Sequence, residues 1–207
     1  MFNLLVIVLQ FLSGSIMFSW IFARLLRVDI SKVRDGNPGS TNLWRAKGLK
    51  WGLLALALDY FKGTFPLFLF MVLKITTNEY VISMAALAGI AGHGFSPMLK
   101  FRGGKAVATT FGAWSVLTKW QGPVILGTVF SIFSLFKKQT TVEEDSVRVL
   151  VGFIALMPFV LYKAFTAQWH LLLFYVGNFA IIALKHWKDW HRFFSKICHK
   201  GQSSGLY

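Results

Sequence analysis

The sequence predicts an all-α integral membrane protein that crosses the membrane about seven times, with its N-terminus outside and its C-terminus in the cytoplasm. Hydrophobic residues make up 55% of the 207 residues and the mean hydropathy is +0.56, whereas roughly 45–50% apolar content is typical of soluble domains. Apolar runs recur near the length of about 20 residues that a helix needs to cross a bilayer. Most Lys and Arg residues lie where these runs end.

Each apolar run is assigned to one span. In chain order the runs lie at residues 2–26, 51–73, 81–95, 106–117, 122–136, 149–162 and 169–184. The first run lacks the basic start of a cleavable signal peptide and is long enough to span, so we expect it to be retained. A basic polar stretch occupies residues 24–50, and a hydrophilic loop occupies residues 137–148. The chain is therefore predicted to form one membrane-embedded domain over residues 1–200, followed by a disordered tail at 201–207.

The distribution of Lys and Arg predicts the orientation. Of the 22 such residues, Lys74, Lys119 and Lys163 fall in loops on one side and Lys62 lies within a span, which leaves 18 for the other side. Because cytoplasmic loops carry the excess of cations, the basic loops and the C-terminus are assigned to the cytoplasm.

The charge and the cysteine count exclude several classes of protein. A formal net charge of +14 would point to nucleic acid in a soluble protein. Here the cations flank apolar runs, so they predict contact with anionic lipid head groups and anionic substrates, and no nucleic acid partner. A single cysteine, Cys198, excludes an intramolecular disulfide and a metal site built from several cysteines. We expect no metal or cofactor, and no feature of the sequence indicates an oligomeric state.

The stretch at residues 89–110, GIAGHGFSPMLKFRGGKAVATT, joins the third and fourth spans. The backbone N–H groups of a Gly-Gly pair can approach a ligand closely. Lys105 is predicted near a helix N-terminus, where the helix dipole favours anions. These features predict a phosphate site. Its candidate residues are His93, Ser96, Lys100, Arg102, Gly103, Gly104 and Lys105.

A different interpretation of this stretch is a positively charged loop that only fixes topology. It accounts for Lys100 and Arg102 but poorly for Gly103 and Gly104. His93 fits a general base, a phosphate ligand or a buried core histidine.

Two further polar clusters are predicted on the same cytoplasmic face. Residues 35–45 combine turn-forming glycines with several hydrogen-bonding side chains, and Arg45 has the forked geometry that suits a phosphate. The alternative is a capping loop, in which Ser40 or Thr41 caps a helix that begins near Leu43. Residues 185–192 follow the last span, where a solvated basic tail is the alternative. Because all three clusters share one face, a common site is favoured.

The second span contains charges that need partners. Asp59 and Lys62 are three residues apart, so the two side chains can pair on one helix face. Charged groups inside a span are costly and usually face the interior of the bundle. A structural ion pair and a lining of the substrate cavity both fit, so Lys62 is a candidate binding residue.

Four segments resemble the motifs of one enzyme family. They are DGNPGSTNLWR (35–45), DYFKG (59–63), GHGFSPMLKFRGGKAVAT (92–109) and HWKDWHRF (186–193). Along nearly its whole length the chain is similar to the bacterial integral-membrane glycerol-3-phosphate acyltransferases that use acyl phosphate as donor. The motifs of that family read S-G-N-x-G-x-T-N-x-x-R, K-G, G-H-x-F-S/P-x-x-x-x-F-K-G-G-K-G-V-A-T and H-R-x-N-I-x-R-L. The third match is long and specific, and the fourth is weak.

The resemblance implies a seven-helix enzyme of the bacterial inner membrane with its site at the cytoplasmic face. Such an enzyme transfers a fatty acyl group from acyl phosphate to the 1-hydroxyl of glycerol 3-phosphate, forming lysophosphatidic acid in phospholipid synthesis without metal or coenzyme. By motif position, the substrate site would comprise Asn37, Thr41, Asn42, Arg45, Lys105 and His186, shaped by His93, Gly103 and Gly104. Because acyl phosphate is already activated, positioning and charge neutralisation could supply most of the rate. The proton of the hydroxyl would go to the phosphate of the acceptor or to His186.

The chain departs from the family motifs and is expected to be a divergent member. Asp35 replaces a serine, Ala106 a glycine, Trp187 an arginine and Asp189 an asparagine. Two added carboxylates repel a phosphate dianion unless cations pair with them, so another polyol phosphate is an alternative acceptor. Asp35 is expected to orient or deprotonate a hydroxyl. The catalytic candidates are Asp35, Arg45, Lys105, His186 and Asp189.

Two other functions compete with this enzyme. One is a small membrane carrier for an anionic phosphorylated solute, and the other is an inactive, lipid-binding relative. Carriers often show paired repeats and polar sites at the membrane midplane. The sequence has no evident repeat and places its polar motifs at one face, which favours the enzyme.

Overall fold

Helices account for all the regular structure of residues 2–136 and 140–203, which the computed structural model describes. This confirms the all-α prediction. The α-helices are α1 (Phe2–Ser15), α2 (Phe18–Leu25), α3 (Ser40–Lys47), α4 (Leu49–Val72), α5 (Glu79–Gly94), α6 (Val107–Leu117), α7 (Gln121–Phe136), α8 (Val142–Phe165) and α9 (Trp169–Ser203). Two single-turn 3₁₀ helices, Ile30–Lys32 and Pro97–Leu99, lie in the connections.

Four segments of the described chain are long and apolar enough to cross a membrane. They are Asn3–Leu25, Leu49–Val72, Glu79–Leu99 and Val142–Phe165, while α6 and α7 are shorter apolar helices. α9 continues to residue 203, and residues 204–207 lie outside the described part of the chain. The disorder predicted for the tail at 201–207 stays a prediction.

The first predicted span is not one continuous helix, because the chain breaks between α1 and α2. The break frees backbone carbonyls, and side chains from other elements take them up. Ser96 Oγ donates to the Ser15 carbonyl at 2.6 Å, and Lys62 Nζ donates to the Ile16 carbonyl. Buried carbonyls need such partners, so Ser96 and Lys62 have clear structural roles.

The helices that contain the last two predicted spans extend beyond the predicted boundaries. α8 begins at Val142, inside the predicted hydrophilic loop, because Thr141 and Glu144 form a reciprocal capping box. α9 runs on through the polar residues that follow the apolar run. Hydropathy marks the apolar part of a helix rather than its ends, so both helices carry polar turns that the span assignment missed.

Close approaches between helices hold the bundle together. α1 packs on α5 and α4 on α6, while α8 and α9 pair. A Cβ added to Gly14 would lie 2.0 Å from the Gly89 carbonyl oxygen, and one added to Gly63 would lie 2.5 Å from that of Thr109. The beginnings of α4, α6 and α8, the end of α5 and the middle of α9 meet around one cavity.

Candidate active site

A cavity of about 730 Å³ lies where these helix ends meet. Of the residues proposed from the sequence, seven line it: Asp35, Asn37, Thr41, Asn42, His93, Lys105 and His186. They come from all three polar clusters. The proximity expected from their common face is therefore observed.

Lys105 joins two of these clusters at the end of the loop before α6. Its Nζ lies 2.8 Å from Asp35 Oδ2 and 2.7 Å from Asp189 Oδ2. Asp189 also accepts from Arg192 Nη2 at 2.9 Å. Asp35 and Asp189, the two acidic departures from the family motifs, thus both contact Lys105. Lys105 lies two residues before α6 begins, as predicted.

The segment before α3 is folded around Asn42. Its Nδ2 donates to the carbonyl oxygens of Val33 and Asn37 and to Asp35 Oδ1, at 2.9, 3.0 and 2.8 Å. Partial burial would raise the pKa of Asp35, but the hydrogen bonds from Lys105 and Asn42 outweigh it and lower the pKa. Asp35 is therefore ionised, with both oxygens engaged.

The capping interpretation of Ser40 and Thr41 is wrong. α3 begins at Ser40 itself, with Gly39 as its N-cap and no side-chain cap. Ser40 and Thr41 instead line the cavity from the first turn of α3.

His186 is buried in the wall formed by α8 and α9. Its Nδ1 contacts Ser146 Oγ, and its Nε2 is buried. Burial and then the charge of Lys105 lower the pKa of His186 from 6.5 to about 3. The imidazole is therefore neutral at physiological pH. Ser146 Oγ also lies 3.4 Å from Asp189 Oδ2, which links His186 to the Lys105 cluster.

Asp59 and Lys62 form the pair expected from their spacing, at 2.8 Å. Both side chains are almost fully buried. Asp59 lines the cavity together with His93, whose Nδ1 lies 3.8 Å from Asp59 Oδ1. Lys62 points away from the cavity to the break between α1 and α2. The ion pair therefore connects the cavity wall to this helix break.

Gly103 and Gly104 lie beneath His93 and do not line the cavity. Gly104 N–H donates to the His93 carbonyl at 3.1 Å. A Cβ on Gly103 would lie 2.0 Å from that carbonyl oxygen, and one on Gly104 would lie 2.3 Å from His93 Nε2. The Gly-Gly pair therefore allows the loop to pack directly on His93.

The structure leaves other predicted residues away from the cavity lining. Arg45, Lys100 and Arg102 are exposed, and Ser96 and Lys62 are buried at the α1–α2 break. Asp189 reaches the site through its contact with Lys105. For Lys100 and Arg102, an exposed position fits the topological interpretation of the loop.

Sequence reasoning missed a second charged group in the cavity wall, formed by Arg34, Asp145 and Arg148. It also missed Ser146, which contacts His186. Asp145, Ser146 and Arg148 lie in the first two turns of α8, in a segment that was assigned to a loop. The Thr141-x-x-Glu144 capping box is the signal that would have placed them on a helix.

Part of the cavity lining, which we call the apolar arm, consists of hydrophobic side chains. They are Leu53, Leu56 and Ala57 of α4, Phe111 of α6, Phe130 of α7 and Val149 of α8. The lining thus combines charged groups with hydrocarbon side chains, a combination that fits an amphiphile.

Comparisons with known proteins agree with this geometry. A family model described as glycerol-3-phosphate acyltransferase matches residues 4–196. Glycerol-3-phosphate acyltransferase 1 of Thermotoga maritima is 53% identical over 203 residues, covering 95% of this chain and all of that protein. The Aquifex aeolicus glycerol-3-phosphate acyltransferase is 32% identical over 64% of this chain and 77% of its own length. The crystal structure of PlsY (YgiH), an integral membrane glycerol 3-phosphate acyltransferase in its glycerol 3-phosphate form, superposes with a TM-score of 0.79 at 27% identity, covering 94% of this chain and 92% of that one.

Proposed function

Because the chain belongs to the glycerol-3-phosphate acyltransferase family, we propose that this membrane acyltransferase takes its acyl group from acyl phosphate and transfers it to the 1-hydroxyl of glycerol 3-phosphate. The products are lysophosphatidic acid and inorganic phosphate. The observation that carries the proposal is a cavity whose lining combines the cations Lys105 and Arg148 with apolar side chains of α4, α6, α7 and α8. An anionic head and a fatty chain are accommodated together there.

The reaction needs little covalent help from the protein. The acceptor oxygen attacks the acyl carbon, and the bond from that carbon to the phosphate oxygen breaks. The proton of the hydroxyl ends on the departing phosphate. Cations near the reacting groups neutralise charge that builds up on the leaving oxygen, and a preorganised site supplies this without reorganisation during the reaction.

We propose that Lys105 neutralises phosphate charge and that His186 contacts the attacking hydroxyl. When Ser146 donates its single hydroxyl proton to Asp189, the Nδ1–H of His186 donates to Ser146 and Nε2 is left as an acceptor. Nε2 then accepts a hydrogen bond from the hydroxyl and orients it. With a pKa of about 3, His186 passes the proton on rather than storing it.

Asp35 is assigned a positioning role. Both of its oxygens are already engaged, by Lys105 and by Asn42, which favours holding Lys105 over deprotonating a hydroxyl. Asn37 and Thr41, which line the same end of the cavity, are assigned to hydrogen bonds with the acceptor. Arg45, Lys100 and Arg102 are exposed and are assigned to attracting anionic substrates from solvent.

The orientation proposed for the chain is seven spans with the N-terminus outside and the site at the cytoplasmic face of the bacterial inner membrane. The helix directions support it, because α4, α6 and α8 begin and α5 ends at the cavity. The basic loops flank the same end.

The direct test is acyl transfer by the detergent-purified protein, with palmitoyl phosphate as donor and glycerol 3-phosphate as acceptor. We expect lysophosphatidic acid and phosphate in equal amounts, with both lost in Lys105→Ala. Transfer from palmitoyl-coenzyme A but not from palmitoyl phosphate would refute the proposed donor. Release of phosphate without lysophosphatidic acid would refute the proposed acceptor.

A further inference from the structure

Two clusters of charged side chains border the cavity, and their charge balance differs. In the Lys105 cluster, Lys105 and Arg192 face the carboxylates of Asp35 and Asp189, so two cations meet two anions. His186 adds no charge there because its pKa of about 3 keeps it neutral. Among the described residues, this cluster has no surplus of positive charge.

The second cluster, which we call the Arg34–Asp145–Arg148 bridge, has two cations for one anion. Arg34 Nη2 donates to Asp145 Oδ2 at 2.9 Å and to the Thr140 carbonyl at 3.0 Å. Arg148 Nη2 donates to Asp145 Oδ1 at 3.0 Å. Within the described chain the bridge therefore carries one surplus positive charge, and all three members line the cavity.

Arg148 lies beside the aromatic residues of the apolar arm. Its guanidinium is 5.0 Å from the centre of the Phe130 ring, which in turn packs edge to face on Phe111 at 5.4 Å. Both rings line the arm. An amphiphile with its chain in the arm would therefore place its head group beside Arg148.

Arg148 also has unused hydrogen-bonding capacity. Its Nε is buried and has no partner among the described residues, and its Nη1 contact with Ser134 Oγ is long, at 3.4 Å. A buried donor that lacks a partner is costly, so each one calls for an explanation such as a ligand. A planar guanidinium with free donors is well suited to a phosphate.

We propose that Arg148, assisted by Arg34, binds the phosphate of the acyl phosphate donor. The inference rests on the proposed function, since it names the group that recognises the donor. The phosphate dianion of the donor is attracted to the bridge, which has surplus positive charge, while Lys105 in the balanced cluster faces the charge that develops on the leaving oxygen. This assigns a donor-binding role to residues outside the four motifs that the sequence analysis singled out.

Two substitutions separate this proposal from a purely structural bridge. Arg148→Gln and Asp145→Asn both break the Arg148–Asp145 ion pair, but the first lowers the charge of the cluster and the second raises it. We expect Arg148→Gln to raise the KM for palmitoyl phosphate about 10- to 100-fold without changing the KM for glycerol 3-phosphate. Asp145→Asn should lower the donor KM, because it raises the positive charge of the bridge.

The matched control is Lys196→Gln. Lys196 forms an ion pair with Glu143, which lies in the first turn of α8 as Asp145 does. Lys196 does not line the cavity. Its loss removes one positive charge from the same end of the protein, and we expect both KM values to stay at the parent level. If Arg148→Gln does not fold, Arg34→Gln should raise the donor KM in the same direction.

Direct binding distinguishes the donor from free phosphate. Hexadecyl phosphate carries the head group and a chain but no acyl group, so its binding is measurable without turnover even if the proposed donor proves wrong. We expect Arg148→Gln to weaken the binding of hexadecyl phosphate about tenfold more than the binding of inorganic phosphate. The proposal is overturned if hexadecyl phosphate binds the parent and Arg148→Gln equally, if only the KM for glycerol 3-phosphate rises, or if both bridge variants impair the two substrates alike.

Discussion

Two lysines of this protein contact aspartates at nearly the same distance, yet their surroundings differ. Lys62 is 2.8 Å from Asp59, and Lys105 is 2.8 Å from Asp35. The first pair is 2% and 3% exposed, whereas the second is 21% and 17% exposed. Removing charge from water is costly, and the cost rises with burial. The distance is therefore a poor guide to what each pair does.

The partners of each lysine clarify the difference. Lys62 also donates to the Ile16 carbonyl at the break between α1 and α2, so its contacts are with fixed parts of the bundle. Lys105 has a second carboxylate, Asp189, and lines the cavity. A lysine between two carboxylates at a cavity wall can exchange one of them for a substrate phosphate. We infer that Lys62 mainly stabilises the fold and Lys105 mainly serves the reaction.

The substitution with the largest expected effect is Lys62→Met, which tests whether Lys62 stabilises the fold. The substitution leaves Asp59 buried without its cation, which typically costs about 3–5 kcal/mol, and it also removes the donor to the Ile16 carbonyl. We expect a large fall in the thermal midpoint of the detergent-purified protein, followed by scanning fluorimetry. The double variant Asp59→Asn/Lys62→Met removes the unpaired charge and should recover part of the loss. A midpoint equal to that of the parent would remove the structural role from Lys62.

The second prediction concerns the other lysine, with the opposite division of effects. Lys105→Ala should lower kcat by about 10²- to 10³-fold, the usual cost of one electrostatic contact in a transition state. Its thermal midpoint should stay near that of the parent, because Asp189 keeps Arg192 and Asp35 keeps Asn42. Parallel measurement of kcat and midpoint in Lys62→Met and Lys105→Ala checks the division directly. A large fall in midpoint for Lys105→Ala would erase the distinction between the pairs.

The same contrast explains how much could be predicted from the sequence. The spacing of Asp59 and Lys62 is local, so helical periodicity alone indicated their pairing. Lys105, Asp35 and Asp189 are far apart in the chain, and their common membrane face and their positions in the family motifs predicted that they would meet. The contact of Lys105 with both carboxylates was not predictable, because it depends on which atoms face one another across the loop, α6 and α9.

The bridge at Arg148 was missed for a different reason. Hydropathy placed residues 137–148 outside the membrane, and this placement hid the first turns of α8. A polar residue in the first turns of a span looks like a loop residue in composition. Only the capping box Thr141-x-x-Glu144 marks the true start of the helix, and it is a short-range signal that a scan for apolar runs ignores.

A third prediction sharpens the comparison through pH. The folded protein keeps His186 neutral down to a pKa of about 3, because of burial and then the charge of Lys105, while the unfolded histidine takes up a proton near pH 6.5. Above pH 6.5 both states are neutral and protonation of His186 costs no stability. As the pH falls below 6.5, the free energy of unfolding decreases by about 1.4 kcal/mol per pH unit. We expect the thermal midpoint of the parent to fall more steeply than that of His186→Gln between pH 6.5 and 5. Equal slopes would place the acid sensitivity elsewhere.

The smallest expected effect concerns the backbone that presents Lys105. Ala106, where the family motif has glycine, adopts a left-handed conformation with φ of 59° as the N-cap of α6. Such a conformation costs a residue with a Cβ about 1–2 kcal/mol, and part of the gain from glycine is offset by the greater freedom of the unfolded chain. Ala106→Gly should therefore raise the unfolding free energy by about 0.5–1 kcal/mol, seen as a small rise in the thermal midpoint.

Ala113→Gly in the interior of α6 is the matched control, and there glycine should destabilise by about 1 kcal/mol. A fall in the midpoint for both variants would mean that the buried methyl of Ala106 contributes more through packing than the left-handed backbone costs. A rise for Ala106→Gly with unchanged KM values would show that the strained backbone does not tune substrate binding.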